Sequence, residues 1–188
     1  MLDLLQFWDH RLESPTLNEL PADFNKPANG KSTEAQTKIK SIPGTEASED
    51  QFVTDLTVLA LLVRRLSGDE LITIATDNAK QQPFVLTLTL DDPKIGFSGL
   101  REQVAKIYKE LSEKIVPLDE IAKSLQEKKS LEKPPALFTV SFEHSSSDGS
   151  HKTLGESGVE GSRRDVALYF DVEDGSIDVL YNSLLYKK

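Results

Sequence analysis

The chain has 188 residues, a length that suits one domain or one domain with a tail. Its 31 acidic and 22 basic side chains give a net charge of −9, which repels phosphate backbones and anionic lipid surfaces, so neither nucleic acid nor membrane is an expected partner. With no cysteine there is no disulfide, thiolate metal site or cysteine nucleophile, and with no basic region at Met1-Leu2-Asp3 there is no secretory signal; the expectation is a soluble, cytoplasmic protein.

Hydrophobic residues make up 38% of the chain, and they are clustered enough to build one core. Leu4, Leu5, Trp8 and Leu12 share one face of a short helix, which Ser14-Pro15 ends. Residues 18–50 are punctuated by Pro21, Pro27, Asn29-Gly30 and Pro43-Gly44. They read as an extended surface segment with at most one short strand near residues 37–42. Residues 51–66 form the strongest element, a helix apolar around most of its circumference and so expected to be buried on most sides. Asp50 is its expected N-cap, Gly68 its C-terminal residue, and Arg64 and Arg65 suit the last turn. The domain reading is therefore 1–50 as helix plus surface segment and 51–188 as an α/β unit.

Leu71-Ile72-Thr73-Ile74-Ala75 is a short β-branched strand. After a turn through Asp77-Asn78, residues 84–90 alternate, with Phe84, Leu86, Leu88 and Leu90 on one face, up to Asp91-Asp92-Pro93. Ser98 opens a helix with Leu100, Val104, Ile107, Leu111 and Ile115 at helical spacing. Pro117 starts another with Leu118, Ile121, Ala122 and Leu125 inward. Residues 136–142 read as a strand and the Ser/Gly/Glu-rich residues 144–162 as a loop. Val166, Leu168, Phe170 and Val172, then Asp174-Gly175, then Ile177, Val179 and Tyr181 make a hairpin. The fold class is α/β: a two-layer sandwich with a mixed sheet and helices on one face. Leu184-Leu185-Tyr186 starts an apolar stretch just before Lys188, which reads as a piece of a longer protein.

No set of residues in the sequence converges on chemistry. His10 lies on the first helix, and His144 and His151 lie in or beside the Ser/Gly loop. Glu143, His144 and Asp148 are separated by serines and read as solvated. The glycines at 155, 158 and 161 carry no lysine or arginine between them, include two glutamates and lead into a strand, so they do not cradle phosphate. Ser157 lacks the glycine spacing of a nucleophile elbow. Asp69-Glu70 and Asp91-Asp92 read as turn and helix-end residues. The residues therefore assign no catalytic, cofactor or metal site.

Several segments resemble the C-terminal lobe of condensation domains of non-ribosomal peptide synthetases. They are Phe7-Trp8 with Leu17-Asn18-Glu19-Leu20-Pro21-Ala22-Asp23-Phe24, Gly68-Asp69-Glu70-Leu71-Ile72 after its helix, Val116-Pro117-Leu118-Asp119-Glu120-Ile121, Lys133-Pro134-Pro135-Ala136-Leu137-Phe138, and Tyr181-Asn182. A closer resemblance is to the N-terminal region of fungal L-2-aminoadipate reductases, carried by Leu12-Glu13-Ser14-Pro15-Thr16-Leu17 and above all by residues 180–186. The resemblance implies one lobe of the chloramphenicol-acetyltransferase-like fold. It also implies a multidomain parent enzyme of lysine biosynthesis using ATP with magnesium, a phosphopantetheine arm and NADPH. The condensation family's HHxxxDG motif belongs to its other lobe, and Asp148-Gly149 here lacks the histidine pair.

The expected function is a non-catalytic structural or docking domain, without a cofactor of its own, that packs against the adenylation domain of the same polypeptide. Trp8, Tyr181, Leu184, Leu185 and Tyr186 are the interface candidates, Trp8 because an aromatic near a terminus can anchor a neighbour. Two alternatives remain: a regulatory module for lysine or aminoadipate, and a degenerate acyltransferase half-domain.

Overall fold

The computed structural model describes residues 2–13, 16–24, 33–39, 48–92, 94–145, 165–171, 173 and 175–187. Outside them lie Ser14-Pro15, Pro27, Asn29-Gly30, Pro43-Gly44, Pro93, most of the Ser/Gly-rich stretch with Asp148, His151 and Ser157, and Val172 and Asp174 of the hairpin. The elements run α1 (Leu2–Arg11), β1 (Glu34–Ile39), α2 (Glu49–Ser67), β2 (Leu71–Asp77), β3 (Pro83–Thr89), α3 (Phe97–Ser112), α4 (Leu118–Lys129), β4 (Val140–His144), β5 (Val166–Phe170) and β6 (Ile177–Asn182). The strands form one sheet in the order β1-β6-β5-β4-β2-β3. β2, β4 and β5 run parallel at its centre, and β1–β6, β5–β6 and β2–β3 are antiparallel. The α/β class and the mixed sheet expected from the sequence are present.

Local chemistry explains where α2 begins and ends. It starts two residues earlier than the apolar periodicity suggests. Ser48, not Asp50, is the N-cap: it is extended at φ −154°, and its hydroxyl accepts from the Gln51 amide at 3.2 Å. Glu49 and Asp50 thereby fall in the first turn, where negative charge suits the helix dipole. Gly68 ends the helix at φ +79°, its amide donating to the Arg64 carbonyl at 2.9 Å. The helix is also less enclosed than its composition suggests. Phe52, Leu56, Leu59, Ala60 and Val63 are buried, but Val58, Leu62 and Leu66 form a stripe at four-residue spacing that is 45%, 49% and 44% exposed.

Other boundaries shift by a few residues. β1 starts at Glu34, and α3 starts at Phe97 behind Gly96 rather than at Ser98. Pro117 caps α4 instead of occupying its first turn. β4 begins at Val140, later than the apolar run suggests, with Leu137 and Phe138 buried ahead of it.

Register places Ile72, Ile74 and Thr76 of β2 beside Leu88, Leu86 and Phe84 of β3, and Thr76 beside Phe142 of β4. α2 and α3 cover this face. The Phe52 ring lies 4.8 Å from that of Phe142 and 5.8 Å from that of Phe170, and the Tyr108 ring lies 5.6 Å from Phe84. The opposite face is also buried, at Thr73, Ala75, Ser141, Ala167 and Tyr169 of the central strands and at Val85 of β3. Burial on both faces is the usual setting of parallel strands.

The N-terminal residues belong to this core. Trp8 and Leu12 are fully buried, the Trp8 indole N–H donates to the Lys114 carbonyl, and β1 forms one edge of the sheet. The stretch expected to run over the surface instead sends Asn18 inside, 1% exposed. β2 and β4 pair at only two positions, Ala75–Ser141 and Thr76–Phe142. Below them the Asn18 side chain takes the place of a strand. Its Oδ1 accepts from the Thr73 amide at 2.7 Å, and its Nδ2 donates to the Leu71 carbonyl and to Asp69 Oδ2, both at 2.9 Å. The Asn18 carbonyl accepts from Thr139 Oγ1 at 2.7 Å.

Asn18→Ala leaves the buried Thr73 amide and Leu71 carbonyl without these partners. Each orphaned group costs about 1–3 kcal/mol, so the expected loss is about 3 kcal/mol in chemical denaturation. Ser48→Ala removes one cap bond and is expected to lose about 1 kcal/mol.

Candidate functional site

Of the three histidines, His144 lies in a built environment. Parallel register puts the end of β4 beside the end of β2, so His144 stands next to Asp77. Asp77 Oδ1 accepts from the His144 amide at 2.9 Å and lies 2.7 Å from its Nδ1. A carboxylate only accepts, so Nδ1 carries the proton and Nε2 is the nitrogen left for other contacts. The side chains are 9% and 5% exposed, and Glu143 beside them is 2% exposed on β4, which corrects the reading of Glu143 and His144 as solvated loop residues. The imidazole is stacked flat on Phe52, with centroids 3.9 Å apart and planes 5° apart. The Tyr108 hydroxyl donates to the Asp77 carbonyl at 2.9 Å. Burial, then the negative charges of Asp77 and Glu49, push the Tyr108 hydroxyl well above the ordinary tyrosine range and keep it a donor.

A carboxylate that fixes one ring nitrogen and frees the other orients a histidine as a general base. That function also requires an acidic group on Nε2, and no described hydroxyl bonds to it. The cluster thus offers half of a proton-transfer pair together with a firm clamp between β2, β4, α2 and α3. Among the described residues, no group of three His, Cys, Asp or Glu is placed to hold a metal ion. No described helix is long and apolar enough to cross a membrane.

The interface candidates fall in different places. Trp8 and Leu185 are fully buried within the chain, so neither presents surface to a neighbour; their apolar bulk serves this core instead. Tyr181 is 8% exposed on β6, Tyr186 is partly exposed, and Leu184 is 36% exposed. The Leu185 carbonyl accepts from the amides of Asp23 and Phe24, which ties the C-terminal residues to the segment that follows α1. Sequence reading misses Asp77, Phe52 and Tyr108 as a group because strand register alone brings residues 77 and 144 together.

Solved structures define the class. The chain superimposes over 99% of its length on the starter condensation domain of rhizomide synthetase, covering 47% of that chain with a TM-score of 0.67 at 15% identity. It matches the X-domain from teicoplanin biosynthesis over 98% of its own length and 50% of that chain, with a TM-score of 0.67 at 17% identity. In a four-domain nonribosomal peptide synthetase it covers 18% of the chain at a TM-score of 0.67 and 16% identity. The fold is that of one half of a condensation domain. The sequence relatives are more particular: the chain is homologous to a segment of fungal L-2-aminoadipate reductases. It is 33% identical over 141 residues, 72% of its length, to the large subunit from Penicillium chrysogenum, and 27% identical over 189 residues, 95% of its length, to the protein from Saccharomyces cerevisiae. It spans 10% and 13% of those two proteins. No protein-family model matches it.

Replacing Asp77 with Ala strips two hydrogen bonds from the buried end of β4, with an expected loss of about 2–3 kcal/mol by denaturation. Tyr108→Phe is expected to lose about 1 kcal/mol at neutral pH. Below pH 10, the ordinary tyrosine value, the Tyr108 proton is held in both folded and unfolded chains and its contribution is complete. Above pH 10 the unfolded chain releases it first, so the stability difference between wild type and Tyr108→Phe shrinks as pH rises. A difference that stays constant or grows contradicts this assignment.

Proposed function

We propose that the chain is a non-catalytic docking half-domain within a multidomain aminoadipate reductase of lysine biosynthesis, a cytoplasmic protein. In this reading it corresponds to the C-terminal lobe of a condensation domain at the N-terminal end of the parent. It packs against the adenylation domain of the same polypeptide. The observation that carries the reading is the pair of coverages: almost the whole chain fits about half of a condensation domain, while it spans about a tenth of the reductases it resembles. A condensation reaction draws on the adjacent histidine pair of the other half, and no two of the three histidines here are adjacent.

The parent's chemistry then belongs to other segments. ATP with magnesium activates the side-chain carboxylate, a phosphopantetheine arm carries the thioester and NADPH reduces it. This chain contributes contact surface and orientation. The exposed Val58, Leu62 and Leu66 stripe and Leu184 supply apolar surface for it.

Deleting residues 1–188 from the full-length reductase is expected to lower its melting temperature or to slow semialdehyde release relative to adenylation. Differential scanning fluorimetry, pyrophosphate exchange and NADPH oxidation measure the three quantities separately. If all three are unchanged by the deletion, the docking role is wrong.

A further inference from the structure

β1 stands at one edge of the sheet, and among the described residues no strand lies on its outer side. The ladder to β6 fixes which of its backbone groups point there. The Ser183 amide donates to the Thr33 carbonyl at 2.7 Å, and the Asn182 amide turns the other way, to the Asp165 carbonyl at 3.1 Å beside β5. Backbone groups alternate in direction along an antiparallel strand, and the register runs from Glu34↔Asn182 to Ile39↔Ile177. Ala35, Thr37 and Ile39 therefore bond to β6, and Glu34, Gln36 and Lys38 direct their N–H and C=O groups away from the sheet. These three residues are also exposed.

An exposed edge of this kind is a template for another strand, and proteins usually blunt it with a proline, a bulge or an unmatched charge. β1 holds no proline, and its six pairs with β6 run in unbroken register. Its charges are placed symmetrically. Glu34 and Lys38 lie two residues either side of Gln36, on one face of the strand. When a second β1 runs antiparallel along this edge with Gln36 opposite Gln36, Glu34 of each copy falls opposite Lys38 of the other. Within its own chain Lys38 stands opposite Asp178, and its three N–H groups let it serve two acids. A slip of two residues, the next register that the backbone directions permit, loses one hydrogen-bonded pair and sets Glu34 or Lys38 against Gln36. Charge and backbone direction thus select the same register.

We propose that β1 is a self-association edge: two copies of the chain join through an antiparallel, two-fold β1–β1 ladder centred on Gln36. Three residue pairs, Glu34–Lys38, Gln36–Gln36 and Lys38–Glu34, each exchange two backbone hydrogen bonds, and the outer two are also charge pairs. The two six-stranded sheets become one continuous sheet. The association is independent of the docking role, since it uses the sheet edge and not α2 or Leu184. One strand edge is smaller than a permanent interface, so the dimer exchanges with monomer.

The test is sedimentation equilibrium of the 188-residue chain from about 10 μM to about 1 mM, the range of a weak interface. The average mass is expected to rise with concentration toward twice that of the monomer. Amide hydrogen exchange by NMR reads the edge itself: Glu34, Gln36 and Lys38 gain protection as the concentration rises, while Ala35, Thr37 and Ile39 are protected throughout. Gln36→Pro removes the central outward N–H and keeps the β1–β6 bonds, so it is expected to abolish association with the fold intact. Glu34→Lys makes both charge pairs repulsive and is expected to weaken association about tenfold. Mixing that variant with Lys38→Glu restores both pairs between unlike chains, and the mixture is expected to associate about as tightly as the wild type. A merely structural role of these residues within β1 gives no such rescue. The proposal fails if the chain is monomeric at every concentration, if the three outward amides gain no protection, if Gln36→Pro associates like the wild type, or if the mixture associates no better than Glu34→Lys alone.

Discussion

The sheet depends on how the backbone groups of β2 are satisfied at its centre. Parallel strands at the middle of a sheet are buried on both faces, so an unpaired amide there has no water to turn to. β2 and β4 nevertheless pair at only two positions before they diverge. A side-chain amide has the same donor and acceptor as a peptide group, and Asn18 uses both on Leu71 and Thr73, filling the wedge between the strands. Its own carbonyl then takes the Thr139 hydroxyl on the β4 side. The N-terminal segment is thus built into the sheet: the residues that lead from α1 are the ones that let β2 and β4 share one sheet.

At the other end of the same two strands the problem is solved with charge. Asp77 closes β2 and His144 closes β4, and one carboxylate oxygen serves both the amide and the ring of the histidine. Phe52 and Tyr108 cover the pair from α2 and α3, so the helical layer is registered against the strand ends through a stacked ring and a phenolic hydrogen bond. Leaving the carboxylate unpaired would be far worse than never having it, which makes such a cluster a determinant of register more than a source of net stability. The strand pair is thus closed at one end by a side-chain amide and at the other by a carboxylate, with apolar packing between.

What can be read in the sequence divides along the same line. The strand of 84–90, the helices with Leu100 and Val104 or Ile121 and Leu125 inward, and the hairpin pairing Phe170 with Ile177 all announce themselves, because each depends on periodicity within one segment. Helix starts are less legible: Ser48 and Asp50 are both good caps, and a hydrogen bond rather than a propensity chooses between them. Val58, Leu62 and Leu66 look as apolar as the residues of α2 that face the core, and only the direction of the helix relative to the sheet leaves them outside. The Asp77–His144 contact and the Asn18 wedge are illegible, since they join residues 67 and 55 positions apart through strand register. Trp8 illustrates the converse error. Proximity to a terminus suggests an anchor for a neighbour, while its indole N–H already has the Lys114 carbonyl.

The same geometry encloses the core of this half of a condensation fold. A lobe taken from a larger domain needs a closed core of its own, or its parting face exposes a broad apolar surface. Here the sheet is buried on both faces at its centre, and the core phenylalanines Phe52, Phe84, Phe138, Phe142 and Phe170 are fully enclosed. The exposed large apolar side chains among the described residues are the Val58, Leu62 and Leu66 stripe and, away from it in sequence, Leu4, Leu17, Phe24, Ile39, Phe97, Leu131 and Leu184. A stripe three residues long is smaller than a permanent interface of core-like character. Among the described residues the core of this half-fold is thus closed by its own side chains on both faces of the sheet, as the buried Phe52 and Phe142 on one side and Ala167 and Tyr169 on the other show.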